Sequence, residues 1–306
     1  FITSSGAMAV ENGLKVAFQY RYPAQRLLAF EHCFAGRTMN ASQITDKASY
    51  REGLPNTLQI DYVPFYENES STKLAVDAIR KYTQRYPKQH AAMIIELVQG
   101  EGGFNTAPRC FYLAIIEALK EAGVLVFIDE IQTFGRLYQL FGFRYFELEE
   151  YVDIVSIGKM SQICATLFTE KVKPRLGLLS QTFTSSSVAI QTSSTIIKRL
   201  LEGNYYGEKG RIAEIHHQFK EGLLKIANKH EGLVEGPFGL GGMIAFTAYK
   251  GDNKLVLDYL QRLFKKGVIA FSAGVNPTRV RLLVPLLTIT DEDIKQVLAI
   301  LEDALI

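Results

Sequence analysis

The amino-acid sequence predicts an α/β protein with a mostly parallel sheet and covering helices, followed by a smaller α+β region. Helical and strand-like patterns alternate through the first two thirds of the 306 residues, as they do when helices join parallel strands. Two short apolar runs rich in β-branched residues each stop at a polar residue, the first at Asp129 and the second at Lys159. Such runs are typical of strands that are buried on both faces.

Composition excludes several classes of function. The formal net charge is only +2, so there is no electrostatic case for a nucleic-acid partner. Apolar stretches are too short to span a bilayer. The cysteines Cys33, Cys110 and Cys164 are odd in number, scattered and without metal-ligand spacing. We therefore expect a cytoplasmic protein with reduced thiols, no metal centre and no membrane partner.

In the first part of the chain, the periodicity of apolar residues and the residues that cap or end helices indicate the secondary-structure elements. Small and capping residues precede the first helix, Pro87 follows the second, and Gly123 closes the third. The buried-strand pattern before Gly100 is apolar apart from one glutamate. These patterns predict helices over 7–20, 71–86 and 111–121, and strands over 27–30, 91–98, 124–132 and 152–159.

Near Tyr206 the sequence changes from a regular alternation of helices and strands to an α+β pattern. Residues 290–293 supply a capping box with acids in the first turn of a final amphipathic helix. The sequence thus predicts two domains, a large one over 1–206 and a smaller one over 207–306. Helices are expected over 208–229, 254–266 and 291–305, and strands over 239–247, 268–272 and 278–283.

Asp129 and Lys159 are the most informative residues, because each follows a predicted parallel strand. Open α/β sheets bind ligands at the carboxyl ends of their strands. An acid for a cationic ring nitrogen and a lysine that binds an aldehyde are what pyridoxal phosphate chemistry requires. A lysine beside Gly158 at the end of an apolar strand is expected to be desolvated, with a lowered pKa. The alternatives are a helix-capping aspartate and a lysine whose amine reaches solvent.

Three further segments allow both a functional and a structural interpretation. Ser5, Gly6 and Ala7 open a helix, where backbone N–H groups suit a phosphate or form an ordinary cap. Glu101 lies in a glycine-rich turn after a strand and is either functional or merely solvated. Arg281, inside an apolar run, needs a carboxylate from the protein or from a substrate.

The order of these segments resembles the class III, fold type I family of pyridoxal-phosphate aminotransferases. The resemblance covers nearly the whole chain, from Ser4 to Leu305, and implies a seven-stranded, mostly parallel sheet between helices. It rests on residues 5–7, 34–38, 96–103, 129–132, 159, 182–183 and 281. Within the family, residues 9–15 and the run from Gly158 to Cys164 are most similar to the L-lysine 6-aminotransferase branch.

The resemblance implies a role for each of these residues. It implies that Lys159 binds pyridoxal 5′-phosphate covalently, that Asp129 pairs with the ring nitrogen, and that a homodimer transfers an amino group to 2-oxoglutarate. The implied cofactor-binding residues are Ser5, Gly6 and Ala7 at the phosphate, Phe34 on the ring, Gln132 at the phenolic oxygen, and Thr182 at the phosphate of the neighbouring subunit. The implied substrate-binding residues are Arg37, Glu101 and Arg281, with Glu101 pairing with Arg281 when an ω-amine is bound.

The sequence also departs from the family pattern. Ala35 replaces a larger residue, Leu97 and Val284 replace prolines, and residues 184–187 lack the usual glycines and asparagine. We expect the N-terminal segment of the family fold to be absent from this sequence. Three hypotheses follow: an aminotransferase that uses L-lysine, one that uses acetylornithine, ornithine or another ω-amine, and a non-catalytic relative.

Overall fold

The structure is a computed structural model that describes residues 1–305, and it divides into two units. The first contains Phe1–Leu97, Ala107–Gly135 and Phe141–Lys198, and the second contains Val98–Thr106, Arg136–Leu140 and the residues from Arg199 onward. Both units are therefore built from discontinuous stretches of the chain. The domain division predicted from the sequence, 1–206 and 207–306, stays a prediction.

A seven-stranded sheet forms the centre of the first unit. Its order is β1-β9-β8-β7-β4-β2-β3, and the neighbours from β3 through β2, β4 and β7 to β8 are parallel. The strands β9 and β1 add an antiparallel edge. The strands are β1 Ile2–Thr3, β2 Arg26–Phe30, β3 Gln59–Val63, β4 His90–Ile95, β7 Leu125–Glu130, β8 Ile154–Ile157 and β9 Cys164–Phe168.

Helices accompany this sheet, and those that pack on it bury an apolar face. The first helix, α1, packs against β8 and β9 through a face that includes Val10, Leu14 and Ala17. Burying such side chains contributes about 1.5–3 kcal/mol each for the larger ones. The helices are α1 Gly6–Tyr20, α2 Ala41–Ile44, α3 Glu69–Arg85, α4 Arg109–Glu121, α5 Gly142–Tyr145 and α6 Ser187–Glu202.

The second unit contains a four-stranded antiparallel sheet, a short hairpin and three helices. The sheet order is β10-β11-β13-β12. Its core brings Val98 and Phe104 of the hairpin together with Met243 and Ala245. The elements are the hairpin β5 Val98–Gln99 and β6 Asn105–Thr106, the strands β10 Val234–Phe238, β11 Met243–Ala248, β12 Phe271–Ala273 and β13 Arg279–Leu283, and the helices α7 Arg211–Lys229, α8 Asn253–Lys265 and α9 Asp291–Asp303.

The predicted α/β class is confirmed, and several element boundaries differ from the prediction. The capping box of α9 is present, with Thr290 and Asp293 exchanging side-chain and backbone hydrogen bonds. The strand predicted over 91–98 ends at Ile95, and Val98 begins the separate hairpin. The sequence patterns did not predict β3, β9, β10 or α6.

Within residues 1–305, no helix combines the length and the apolar character needed to cross a bilayer.

Candidate active site

The carboxylate of Asp129 lies near the carboxyl end of β7, as the sequence predicts. Asp129 is the penultimate residue of this strand and is 6% exposed. Its Oδ1 accepts hydrogen bonds from the Ile131 backbone N–H, at 2.9 Å, and from the Ser156 hydroxyl, at 3.0 Å. Ser156 is the register partner of Asp129 on the neighbouring strand β8. Two adjacent parallel strands thus fix the orientation of this carboxyl group.

Burial dominates the electrostatics of Asp129. Desolvation raises the pKa of this carboxyl from 3.8 to about 6, because removal from water disfavours the charged form. The hydrogen bonds from Ile131 and Ser156 and the positive charge of Lys159 oppose that shift. The group is therefore an acceptor for a cation, since a positive charge held against it would favour the ionised form.

Lys159 lies two residues beyond the end of β8 and begins a 3₁₀ turn that ends at Ser161. Its φ of 49° is left-handed, a conformation that costs a non-glycine residue of order 1–3 kcal/mol. The predicted desolvation of Lys159 is wrong, because the residue is exposed in the folded chain. The strand stops at Ile157, and the turn carries the lysine out of the apolar layer.

Gly158, the residue before this lysine, is tightly enclosed. A Cβ atom at this position would lie 2.9 Å from the Cys164 sulfur and 3.0 Å from Cδ1 of Ile131. Real Cβ contacts are longer, so any other residue would displace the turn that carries Lys159. The Ile131 side chain therefore limits how closely the turn that carries Lys159 can approach the segment after β7.

The same isoleucine packs against the N-terminus of α1. A Cβ atom on Gly6 would lie 3.1 Å from the Ile131 side chain. The Ser5 hydroxyl caps this helix by accepting a hydrogen bond from the Met8 N–H at 3.3 Å. Gly6 and Ala7 are in the first turn, where backbone N–H groups point away from the helix and favour an anion. The helix N-terminus, the segment after β7 and the lysine turn therefore converge around Ile131.

Phe34 belongs to the same unit and is held by a buried carboxylate. Its N–H donates to Oε1 of Glu96 at 2.8 Å, and Glu96 directly follows β4. The preceding residue, Cys33, is fully buried. Burial raises the pKa of its thiol, and the negative charges of Glu96, Asp46 and Asp129 raise it further. Glu96 therefore holds the Phe34 loop beside the end of β4.

Arg37 lies on the outer side of this loop. It is exposed, and its guanidinium carbon lies 4.0 Å from the centre of the Tyr50 ring. Phe34 meets the same ring edge-on at 6.4 Å. A cation that is stacked on an aromatic ring retains its hydrogen-bonding edge for a carboxylate.

The two remaining predicted cofactor residues differ in burial. Gln132 is buried in the turn that follows β7, beside the segment that carries Asp129. Thr182 is exposed, on a segment that is tied to β1 by a 2.7 Å hydrogen bond from Thr3 to the Gln181 side chain. Its predicted contact with a neighbouring subunit stays a prediction.

The second unit joins Glu101 to Arg281, as expected from the resemblance. Arg281 Nη2 donates to Glu101 Oε1 at 2.5 Å, and Nη1 donates to the Gly100 carbonyl at 3.1 Å. The arginine side chain is 10% exposed and that of the glutamate 34%. A buried guanidinium is therefore covered by a carboxylate that reaches solvent.

Comparison with known proteins decides the family. A sequence model of the aminotransferase class-III family matches residues 1–305. The chain belongs to this family. It is therefore a transaminase, and its cofactor is pyridoxal 5′-phosphate, which class-III aminotransferases use to move an amino group between an amino donor and a keto acid.

The relatives of this aminotransferase are named for different substrates. An acetylornithine aminotransferase from Brucella melitensis is 26% identical over an alignment 315 positions long, which covers 99% of this chain and 73% of the relative. A lysine aminotransferase from M. tuberculosis superposes with a TM-score of 0.89 at 22% identity, covering 100% of this chain and 74% of that one. A PLP-bound amine transaminase from an uncultivated Pseudomonas species gives 0.85 at 21%, covering 99% and 76%. Fold type I is thereby confirmed.

The residues of the first unit fit this cofactor. Asp129 is a buried carboxylate whose hydrogen bonds from Ile131 and Ser156 both fall on Oδ1, which suits a protonated ring nitrogen at the other oxygen. The first turn of α1 suits the phosphate group. Lys159 carries an exposed amine of the kind to which this cofactor attaches covalently.

The sequence pattern does not single out three residues that make notable contacts in the structure. Ser156 interrupts an apolar strand, and only the register of β7 and β8 shows that it faces Asp129. Ile131 looks like an ordinary apolar residue in sequence. Arg279 lies two residues before Arg281, and that spacing was the available signal, because side chains at i and i+2 of a strand share a face.

Proposed function

We propose that this aminotransferase takes the terminal amine of an ω-amino donor, with the ε-amine of L-lysine as the first candidate, and transfers it to 2-oxoglutarate in two half-reactions. The observation that carries this proposal is the 2.5 Å ion pair between Glu101 and Arg281. The pair matters because the two substrates place different charges beside the same arginine.

A guanidinium keeps its charge under all physiological conditions. When 2-oxoglutarate binds, Arg281 pairs with a substrate carboxylate. When an ω-amine donor enters, its own carboxylate lies at the far end of the molecule from the reacting amine, so the arginine has no carboxylate beside it and would repel the ammonium group. Glu101 neutralises Arg281 in that half-reaction, and its 34% exposed side chain leaves when a carboxylate competes for the arginine. Arg37, exposed on Tyr50, is proposed to bind the other substrate carboxylate.

The cofactor, when bound, supplies an aldehyde that takes up the amino group and a ring that withdraws electrons. Asp129 holds the ring nitrogen in its protonated form. Lys159 anchors the cofactor and, once its amine is free, moves a proton to and from the reacting carbon as a general acid and base. We assign the phosphate to Ser5, Gly6 and Ala7.

The remaining roles rest on the family resemblance. Phe34 is proposed to stack on the cofactor ring, Gln132 to bind its phenolic oxygen, and Thr182 to reach the phosphate in a partner subunit. The exposure of Thr182 is compatible with a contact across a homodimer. The homodimer and the cytoplasmic location remain proposals.

Two observations bear on the donor, and they favour different amines. The run from Gly158 to Cys164 and residues 9–15 resemble the lysine 6-aminotransferase branch, and a lysine aminotransferase shares the fold with a TM-score of 0.89. Curated relatives at 26% identity are acetylornithine aminotransferases. Acetylornithine or ornithine is therefore the second candidate donor.

Single-turnover spectroscopy separates these possibilities. The purified holoenzyme should lose the absorbance of lysine-bound cofactor when mixed with a productive donor and regain it with 2-oxoglutarate. Lysine, ornithine and acetylornithine are compared as donors. A response to acetylornithine but not to lysine would overturn the lysine assignment.

The variant Lys159→Ala tests the covalent anchor, with the exposed Lys73→Ala on α3 as control. The first should lose the absorbance of the lysine-bound cofactor and the second should keep it. A Lys159→Ala protein that retains this absorbance would contradict the assignment.

A further inference from the structure

Arg279 is a second arginine on the strand that carries Arg281, and it has a different set of partners. Its Nη1 donates to the Gly103 carbonyl and to Oδ1 of Asn105, both at 2.7 Å. Its guanidinium carbon lies 3.6 Å from the centre of the Phe238 ring. The arginine is thus held by stacking and by two charge-assisted hydrogen bonds.

One of those bonds ends on the loop that carries Glu101, and the other ends on Asn105, the strand residue that follows this loop. This loop, Gly100–Phe104, joins the two strands of the hairpin, in which Gln99 pairs with Asn105. The Asn105 amide donates to the Gly102 carbonyl at 2.9 Å. The Arg279 guanidinium therefore fixes the part of the loop that follows Glu101, directly at Gly103 and indirectly through Asn105.

The start of the loop, at Gly100 and Glu101, is fixed by other groups. The Gly274 N–H donates to the Glu101 carbonyl at 2.7 Å, and Arg281 donates to the Gly100 carbonyl at 3.1 Å. The backbone on both sides of Glu101 is consequently anchored to β13 and to the segment after β12. The Glu101 side chain is the part that can move without breaking these bonds.

We propose that Arg279 is a positioning residue that holds the Glu101 loop, so that the Glu101 carboxylate returns to Arg281 after each carboxylate substrate leaves. The inference rests on the proposed gating role of Glu101. Fixing the backbone in advance removes from the closed state part of the entropic cost of ordering the loop. Arg279 thereby favours the state in which Arg281 is neutralised.

This role affects the two half-reactions unequally. The ω-amine half-reaction needs Arg281 covered, whereas the 2-oxoglutarate half-reaction needs it uncovered. Loosening the loop should slow the first and largely spare the second. A merely structural role would reduce both together.

The test measures the single-turnover efficiency of each half-reaction for holoenzyme variants, using the productive ω-amine donor and 2-oxoglutarate. Arg279→Met keeps the apolar stem against Phe238 and removes both hydrogen bonds. We expect the ratio of donor to acceptor efficiency to fall about tenfold, as expected for losing charge-assisted hydrogen bonds. Arg279→Lys, which keeps one donor group, should lower the ratio by only about threefold.

Three companion variants make the result specific. Asn105→Ala removes one acceptor of the same contact and should shift the ratio in the same direction, which keeps the test intact if Arg279→Met fails to fold. The exposed Arg85→Met on α3 should leave the ratio unchanged. Glu101→Gln, which removes the covering charge, should lower the ratio at least as much as Arg279→Met.

The outcomes separate the inference from the function on which it rests. If Glu101→Gln lowers the ratio while the Arg279 and Asn105 variants leave it unchanged, or slow both half-reactions equally, the positioning role is wrong and the gate stands. If Glu101→Gln also leaves the ratio unchanged, the proposed gate is wrong, and the role of Arg279 is overturned with it.

Discussion

Replacing Asp129 with asparagine should stabilise the cofactor-free protein while it damages the enzyme. Asparagine keeps an Oδ1 acceptor for the hydrogen bonds from Ile131 and Ser156 but carries no charge. The native aspartate, 6% exposed, is ionised at neutral pH although burial disfavours its charge. Removing the charge therefore removes the unfavourable free energy of desolvation.

The magnitude follows from the pKa of Asp129. Burial raises it from 3.8 to about 6, and a shift of two units corresponds to about 3 kcal/mol. Because the folded pKa is the higher one, the folded state binds the proton more tightly and the native protein loses stability as pH rises. The loss is absent below pH 3.8, grows between there and pH 6, and is complete above that range.

Urea unfolding of the cofactor-free proteins at pH 4.5, 5.5, 6.5 and 7.5 measures this effect. The free energy of unfolding of Asp129→Asn should exceed that of the native protein by up to about 3 kcal/mol at pH 7.5, with the excess shrinking toward pH 4.5. Asp77→Asn is the control, since Asp77 forms an exposed ion pair with Lys73. Such pairs contribute about 0–1 kcal/mol.

The holoenzyme should respond in the opposite direction. Losing a preorganised charge at the ring nitrogen should lower kcat on the order of 10²-fold or more. A cofactor-free Asp129→Asn protein that is no more stable than the native one at pH 7.5, or whose excess stability is independent of pH, would refute the electrostatic reasoning.

Two further predictions concern packing. Gly158→Ala should lower the free energy of unfolding by about 1–3 kcal/mol and reduce bound cofactor, because the new methyl group would lie 2.9 Å from the Cys164 sulfur. Adding Cys164→Ala should restore part of the loss, and a single variant with native stability would contradict the close contact. Asn12→Ala should leave the free energy of unfolding unchanged or raise it by about 1 kcal/mol, because neither amide atom of this buried residue has a hydrogen-bond partner within residues 1–305. Chemical denaturation checks both, and a loss of more than 1 kcal/mol in Asn12→Ala would indicate that the amide is satisfied by water.

Much of the fold and site was predictable because local patterns determine them. The positions of Asp129 and Lys159 follow from apolar runs that stop at polar residues, and the start of α1 follows from Ser5 as its cap. Both signals lie within a few residues of the group they place. The ion pair of Glu101 and Arg281, by contrast, came from the family resemblance, since 180 residues separate the two.

The features that were missed depend on contacts between distant segments or on the details of a turn. Ser156 becomes informative only when β7 and β8 are aligned. The exposure of Lys159 depends on where β8 ends and on the left-handed turn that follows. The strand β9 was missed because it pairs antiparallel with β8. The alternation of helices and strands in the sequence predicts parallel pairs and does not predict this antiparallel edge.

The discontinuous second unit has a consequence for synthesis on the ribosome. Val98 and Phe104 share a core with Met243 and Ala245, which are translated about 140 residues later, a delay of roughly 7–28 s at ordinary elongation rates. During that interval the hairpin has no core to enter, and Glu101 has no counter-ion. The side chains of Val98 and Phe104 therefore wait on the nascent chain for the strand that will cover them.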